Sequence, residues 1–365
     1  MSHNAATVSV PDTLLPAHRA DTVEDTGLAT EFHHWPLPSY IWPALERCYH
    51  SIFCSESQLR ISGCLTSRVE AWVARRDGRI SSLVLFDRDG AHVRVLNEVF
   101  AISANALTQF ADAVFGHYHE TQIISVRAAK LDAPPKHYLH LSAEMSDDYL
   151  LNLPATPEQW QQSLSSRTRE KLRYYLRRAY QRTPGLTFRT LKVGEFNLAQ
   201  IKQIIALNRA RMHVKGKRFG MSAAEEYQVC QLMLERGQLS IIEIHGKLCA
   251  GLLCTRVGGD VFMHVIAHDP AYDDLRLGLL CCALTIEDAI RRRCQRFHFL
   301  WGRYDYKTRL GGERQALSRM LIFRSTWGLM QQPGHVLSHL MTATRAWLRR
   351  YRGRLMTKTK WLSLS

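Results

Sequence analysis

Four groups of side chains in this sequence have the types and spacing to do chemistry. Along the run from Val261 to His268, period-two alternation puts Phe262, His264, Ile266 and His268 on one strand face. His264 can there take a proton from an attacking amine or hydroxyl, or be an ordinary structural histidine. Further on, Tyr304, Tyr306 and Lys307 follow a short apolar run in an irregular, Gly-containing stretch. Either tyrosine can protonate a leaving group and Lys307 can hold an anionic substrate group; the plain alternative is a surface loop with a salt bridge. Between these lies the turn from Ala271 to Gly278, which opens a helix. Its free N–H groups and positive dipole end suit a pyrophosphate, Gly278 removes a Cβ from the approach, and Arg276 adds a cation. It can equally be a strand-to-helix loop and nothing more. The helix from Arg167 to Arg182, finally, is either a solvated amphipathic face or a surface for a polyanion.

The elements that must position these groups can be read from pattern. Pro43 to His50 reads as a short helix, and Val69 to Val73, Ile80 to Phe86 and His92 to Leu96 as a meander around Asp77-Gly78 and Asp89-Gly90 turns. Asn105 to His117 has helical spacing and Thr121 to Val126 returns as a strand. A capping box at Thr156 to Gln159 starts the next helical region, which Pro184-Gly185 stops. Helices follow at about Asn197 to Val214 and Ser222 to Glu235, each with a capping box of its own. Three antiparallel strands come next, Leu239 to Ile244, Leu248 to Val257 and Val261 to Ala267, then a helix from Leu277 to Arg292 and strands at Phe297 to Trp301 and Ser318 to Phe323. Meander, helix and strand thus occur twice. The predicted division is a loosely ordered, unexported leader over 1–35, halves over 36–153 and 154–330, and a basic amphipathic tail over 331–365.

With 365 residues, 46% hydrophobic and 22% charged, the chain can build two packed domains and is not a disordered protein. Its apolar runs are too short for a bilayer-spanning helix. Nine scattered cysteines without a Cys-x-x-Cys pair argue against a metal site and for a reducing cytoplasm. The net charge of +15 is concentrated: residues 335–365 hold seven basic and no acidic side chains, and residues 163–192 hold nine basic ones against Glu170. These two segments account for the whole excess, so a nucleic acid is a poor candidate partner. The tail repeats Val336, Leu337, Leu340, Met341, Trp347, Leu348 and Tyr351 at helical spacing among arginines, a pattern suited to the inner face of an anionic membrane or to packing on the second domain.

Four segments together resemble the acyltransferase-6 (CelD-like) group of the GNAT superfamily, related to the FemAB peptidyltransferases. They are Trp160-Gln161-Gln162-Ser163-Leu164-Ser165-Ser166-Arg167-Thr168-Arg169; Leu207-Asn208-Arg209-Ala210-Arg211 with Gly216 and Phe219; the Gly246-Lys247 hairpin with Gly278-Leu279-Leu280; and Phe297-His298-Phe299-Leu300-Trp301-Gly302-Arg303-Tyr304-Asp305-Tyr306-Lys307. The resemblance spans about residues 156–325.

It implies an α/β (α+β) fold of two GNAT-like halves, each a mostly antiparallel mixed sheet flanked by helices, followed by a basic C-terminal helix. The first half would be a degenerate one. It further implies an N- or O-acyltransferase that takes acyl-CoA as co-substrate, uses no metal, and acts on a small-molecule or lipid-linked sugar acceptor. Cofactor contacts then fall on Arg276, Leu277, Gly278 and Leu279, substrate contacts on Lys307, Arg211, Arg167 and Arg169, and proton transfer on His264, His298, Tyr304 and Tyr306. Two departures stand out: Arg276-Leu277 replaces the group's usual Ser-Pro, and His298 replaces its usual Asp. They keep open an aminoacyl-tRNA-dependent enzyme of FemAB kind and a non-catalytic accessory protein of a polysaccharide synthase.

Overall fold

The computed structural model describes residues 27–344 and 348, with the backbone of residues 7–9. The chain forms two compact units, and neither is a continuous segment. One holds residues up to Tyr49, Cys64–Ser146 and the chain from Ala316; the other holds His50–Gly63 and Asp147–Gln315. This replaces the expected consecutive halves over 36–153 and 154–330. The cause is packing: Phe53 lies edge-on to Phe262, Arg60 pairs with Glu235, and the strand Glu313–Phe323 sends Ser318–Phe323 back to pair with Ile123–Ala129.

In the first unit, strands Val69–Arg76 and Arg79–Asp89 join at Asp77 and Gly78, both left-handed (φ 51° and 74°), which matches the twist of the flanking strands. His92–Val95 adds antiparallel to the second of them, and the helix Ala104–His117, capped by Ser103, leads to Ile123–Leu131, parallel to His92–Val95. The segment Leu28–His34, expected to be leader, is instead a strand paired with Val69–Arg76.

In the second unit, the strand order is Leu150–Asn152, Arg296–His298, Asp260–His268, Lys247–Val257, Gly237–Ile244, Leu186–Lys192. All pairs are antiparallel except Asp260–His268 with Arg296–His298, whose crossover is the helix Leu277–Arg291. One face of this sheet buries that helix through Leu277, Cys281 and Ile286, and the other buries the helices Leu198–Val214 and Ala223–Arg236 through Ile204, Ile205 and Met233. Each unit is therefore a mostly antiparallel mixed sheet flanked by helices, and each repeats meander, helix and parallel strand.

Residues 333–344 are helical, and no helix among the described residues is long and apolar enough to cross a membrane. The helix packs within the first unit: Val336 meets the cluster of Ile123, Leu141, Leu321 and Phe323. Leu337, Leu340 and Met341 stay exposed. Of the expected membrane face, Trp347 and Tyr351 and most of its arginines lie outside the described residues.

Fully buried on this helix, His339 has neither ring nitrogen hydrogen-bonded. Burial, aided by Arg319, pushes it down to about 4 from an ordinary 6.5. An unfolded chain protonates this ring below pH 6.5 and the native chain resists, so its stabilisation is complete above 6.5 and is lost as pH falls toward 4. The loss is on the order of 2–3 kcal/mol. We expect His339→Leu to flatten the fall in melting temperature between pH 6.5 and 4.5; parallel pH profiles for parent and variant would refute it.

Candidate active site

The strands Asp260–His268 and Arg296–His298 run side by side only over Asp260–Phe262, after which no pairing joins them. Residues 263–268 thus present a strand edge to the space that the departing chain leaves. A β-bulge sits at this divergence: Leu253 faces Val265 and Cys254 faces Met263, so His264 is the extra residue. The bulge reverses the alternation. Phe262, Val265 and Ala267 pack in one apolar layer and Val261, Met263 and Ile266 against the other, which corrects the expectation that Phe262 and Ile266 share a face. His264 Nε2 lies 2.8 Å from Thr255 Oγ1, and burial pushes the ring down to about 4, so it is neutral at physiological pH.

The following turn carries the densest electrostatics. Pro270–Leu275 forms a short 3-10 helix and Arg276 is left-handed (φ 56°, ψ 35°), starting the helix Leu277–Arg291 without a side-chain cap. His268 bonds Asp273 through Nε2 at 3.0 Å, while its buried Nδ1 has no partner. A Cβ on Gly278 would come within 2.7 Å of that Nδ1. The imidazole packed on the glycine thus leaves no space for a side chain there.

Three cations surround this turn. Arg276 Nη1 lies 3.7 Å from Asp273. Arg211 and Lys215 come from the helix Leu198–Val214 and its cap, one turn apart, which sets them on one face with Asn208. Asn208 Nδ2 donates to the Ile266 carbonyl at 2.7 Å and ties this helix to the open strand edge. Burial lowers Arg211 against the opposing pull of Tyr306, Tyr304 and Asp273; Lys215 is lowered by burial and then by Arg211. The Arg211 Nε is buried with no hydrogen-bond partner. Such an orphaned guanidinium nitrogen beside further cations has the charge and free donor that suit an anion.

Tyr304 and Tyr306 stack with ring centroids 6.1 Å apart, Tyr304 exposed and Tyr306 nearly buried. Burial raises the Tyr306 hydroxyl, Cys282 adds to this and Arg211 opposes it, so the phenol keeps its proton.

Two expected roles fail on geometry. Lys307 is only 1% exposed, and its ammonium donates to the carbonyls of Phe299, Leu300 and Trp301 at 2.9, 2.8 and 2.5 Å. No donor is left over for a substrate anion. Burial lowers it to about 8, still charged at neutral pH. His298, expected as an acid or base, is buried between two carboxylates: Nδ1 is 2.6 Å from Asp148 and Nε2 faces Asp260 at 3.7 Å. Burial pulls its pKa down, but Asp148 and Asp260 outweigh this and raise it. The ring also stacks on Phe262 at 4.3 Å. Asp148 accepts the Leu300 N–H as well, so His298, Asp148 and Lys307 together hold the left-handed Leu300 (φ 51°) where the strands part.

The basic helix Ser166–Arg182 is anchored at its end, where Arg178 and Arg182 both pair with Asp274. Arg167 is exposed, and Arg169 donates to the Gln162 carbonyl. Its opening motif is structural: Trp160 is buried and donates to the Leu310 carbonyl, and Ser165 caps the helix. Sequence reasoning missed Lys215, Asp273 and the pairing of His268. The spacing of Asn208, Arg211 and Lys215 on one helix face was the available signal.

The candidate site thus joins a bulged, splayed strand pair, an uncapped helix start with clustered cations and a protonated phenol. Residues 166–308 match the acetyltransferase (GNAT) domain family. Among solved structures the chain is similar to FemX, at 10% identity over 80% of this chain and 96% of that one, with a TM-score of 0.57. It is also similar to L-PGS from Bacillus licheniformis, at 11% identity over 86% and 99% with a TM-score of 0.48. A tandem GNAT protein from the clavulanic acid biosynthesis pathway shares 11% identity over 80% and 98%, with a TM-score of 0.39. The likeness to FemX is one of fold. No curated protein sequence matches the chain.

Proposed function

We propose that the protein is an acyl-CoA-dependent N- or O-acyltransferase acting on an envelope or polysaccharide precursor. The observation that carries the co-substrate is the buried, unpartnered Nε of Arg211 beside Lys215 and the helix start at Arg276. Acyl-CoA brings the acyl group as a thioester. Arg211, Lys215 and Arg276 meet its phosphates beside the helix start at Leu277 and Gly278, whose dipole favours anions; the Leu279 N–H, expected to join them, already donates to the Arg276 carbonyl at 2.9 Å. The Tyr306 hydroxyl holds a proton to give to a leaving sulfur, and the neutral His264, backed by Thr255, takes one from the acceptor. The acceptor class rests on the family resemblance. Nine free thiols, seven of them buried, support a cytoplasmic setting.

Calorimetric titration with acetyl-CoA, longer acyl-CoAs and bulk tRNA at two salt concentrations tests this reading. Saturable acyl-CoA binding that survives moderate salt is expected, and Arg211→Gln should weaken it about tenfold, the worth of one charge-assisted hydrogen bond. Tight tRNA binding that falls steeply with salt, without acyl-CoA binding, would turn the assignment to an aminoacyl-tRNA-dependent transferase.

We further propose that the exposed Leu337, Leu340 and Met341 dip into the inner face of an anionic membrane. Sedimentation with phosphatidylglycerol vesicles should show weaker binding by Leu337→Ser/Met341→Ser. Equal binding by this variant and the parent would refute it.

A further inference from the structure

We propose that the first unit carries a second anion site, a basic pocket that takes an organic phosphate. A cavity of about 680 Å³ opens there, lined by Arg47, Arg75 and Arg79, by Ser82 and Cys48, and by apolar side chains including Ile102. It has the volume of a small-molecule site. Every charged side chain in its wall is an arginine. Arg75 bonds Glu31 at 3.0 Å, whereas Arg47 and Arg79 are exposed and form no ion pair with any described residue. Guanidinium forks match phosphate oxygens bidentately, and three of them in one wall oppose only the Glu31 carboxylate.

The position strengthens the assignment. The pocket includes Ile102, Ser103 and Ala106, the entry to the helix Ala104–His117 that crosses between parallel strands. The helix Leu277–Arg291 has that place in the second unit, and its start is where Arg211, Lys215 and Arg276 gather. The first unit thus also gathers its arginines by a crossover-helix start, but there Ser103 and Asp132 already take the Ala106 and Ala104 N–H groups, so the arginines and not the helix end hold the phosphate; none of these residues is shared with the acyltransferase site. Apolar Ala44, Ile80 and Ile102 between the arginines suit a ligand with an organic body, not a bare anion. The inference does not rest on acyl-CoA binding in the second unit.

Cys48 supplies the test, because it lines the pocket and is half-buried, while the half-buried Cys64 of the same unit is not part of the wall and the other seven cysteines are buried. The full chain is labelled with monobromobimane in the presence of ADP, UDP, inorganic pyrophosphate or citrate, and the rates at Cys48 and Cys64 are read by peptide mass spectrometry. ADP or UDP at about four times its dissociation constant should slow Cys48 about fivefold and leave Cys64 unchanged. Arg47→Gln/Arg79→Gln should lose this protection while keeping the parent's melting temperature and acetyl-CoA titration. No protection by either nucleotide, or undiminished protection in the double variant, overturns the site. Equal protection by citrate overturns the phosphate preference, and equal protection by pyrophosphate overturns the organic body. Loss of acetyl-CoA binding in the parent would instead count against the acyltransferase reading and leave this one standing.

Discussion

Lys307→Ala is expected to lower the melting temperature by about 10 °C, through a loss of about 3–5 kcal/mol. The residue ends the family-like segment that begins at Phe297, where a reactive or substrate-holding lysine is the natural reading. Its three hydrogen bonds say otherwise: the carbonyls of Phe299, Leu300 and Trp301 turn inward where the chain leaves the sheet, and the ammonium satisfies all three. Each carbonyl left without a partner in the interior costs about 1–3 kcal/mol, and truncation adds an empty volume where the stem lay. Lys307→Met separates the two roles. It restores most of the volume but not the donor, so a structural lysine gives a Met variant that is also unstable. A substrate-binding lysine would give a Met variant that melts with the parent and turns over slowly, and that result would overturn the structural role.

The same segment shows how far the sequence could be read. The meanders and the crossover helices were legible because their apolar periodicities are strong and Asp77-Gly78 and Gly258-Gly259 punctuate them. The strand Leu139–Asn152 was not, because Asp147 and Asp148 in its middle read as a polar turn. They are tolerated because tertiary partners arrive from far along the chain: Arg303 and Arg314 at 2.6 Å on Asp147, and His298 on Asp148. A buried carboxylate is affordable only with such partners, and pairings of this sequence separation leave no local trace. The same applies to Leu28–His34, whose half-exposed edge position gives no clean alternation. For the candidate site, residue types pointed to the turn before Gly278 and to Arg211, but not to which atoms have no partner. Lys307 looks reactive by type and is fully committed, whereas Arg211 looks like one arginine among many and has a buried nitrogen with nothing bound to it. The bulge at His264 is a second limit, since an extra residue in one strand is invisible to a period-two reading yet decides which face each later side chain takes.

Gly278→Asp is expected to weaken acetyl-CoA binding by about 100-fold, some 2.7 kcal/mol, with the fold retained. Two effects combine. Any Cβ at this position meets His268 Nδ1 at 2.7 Å, and the ring cannot yield freely because Nε2 is bound to Asp273, which in turn faces Arg276. Displacing the ring therefore moves the turn that sets Arg276 in its left-handed conformation at the helix start. The carboxylate then adds a negative charge at the helix end that favours anions. Companion variants divide the two. Gly278→Ala carries only the steric effect and should cost about tenfold in affinity, a loss that His268→Ala in the same chain should largely recover because it empties the space the Cβ needs. Gly278→Asp/His268→Ala should stay weak, because the added charge remains. Parental affinity for Gly278→Asp would place the phosphates elsewhere on the protein, and a Gly278→Ala defect that His268→Ala leaves untouched would show that the imidazole does not transmit it.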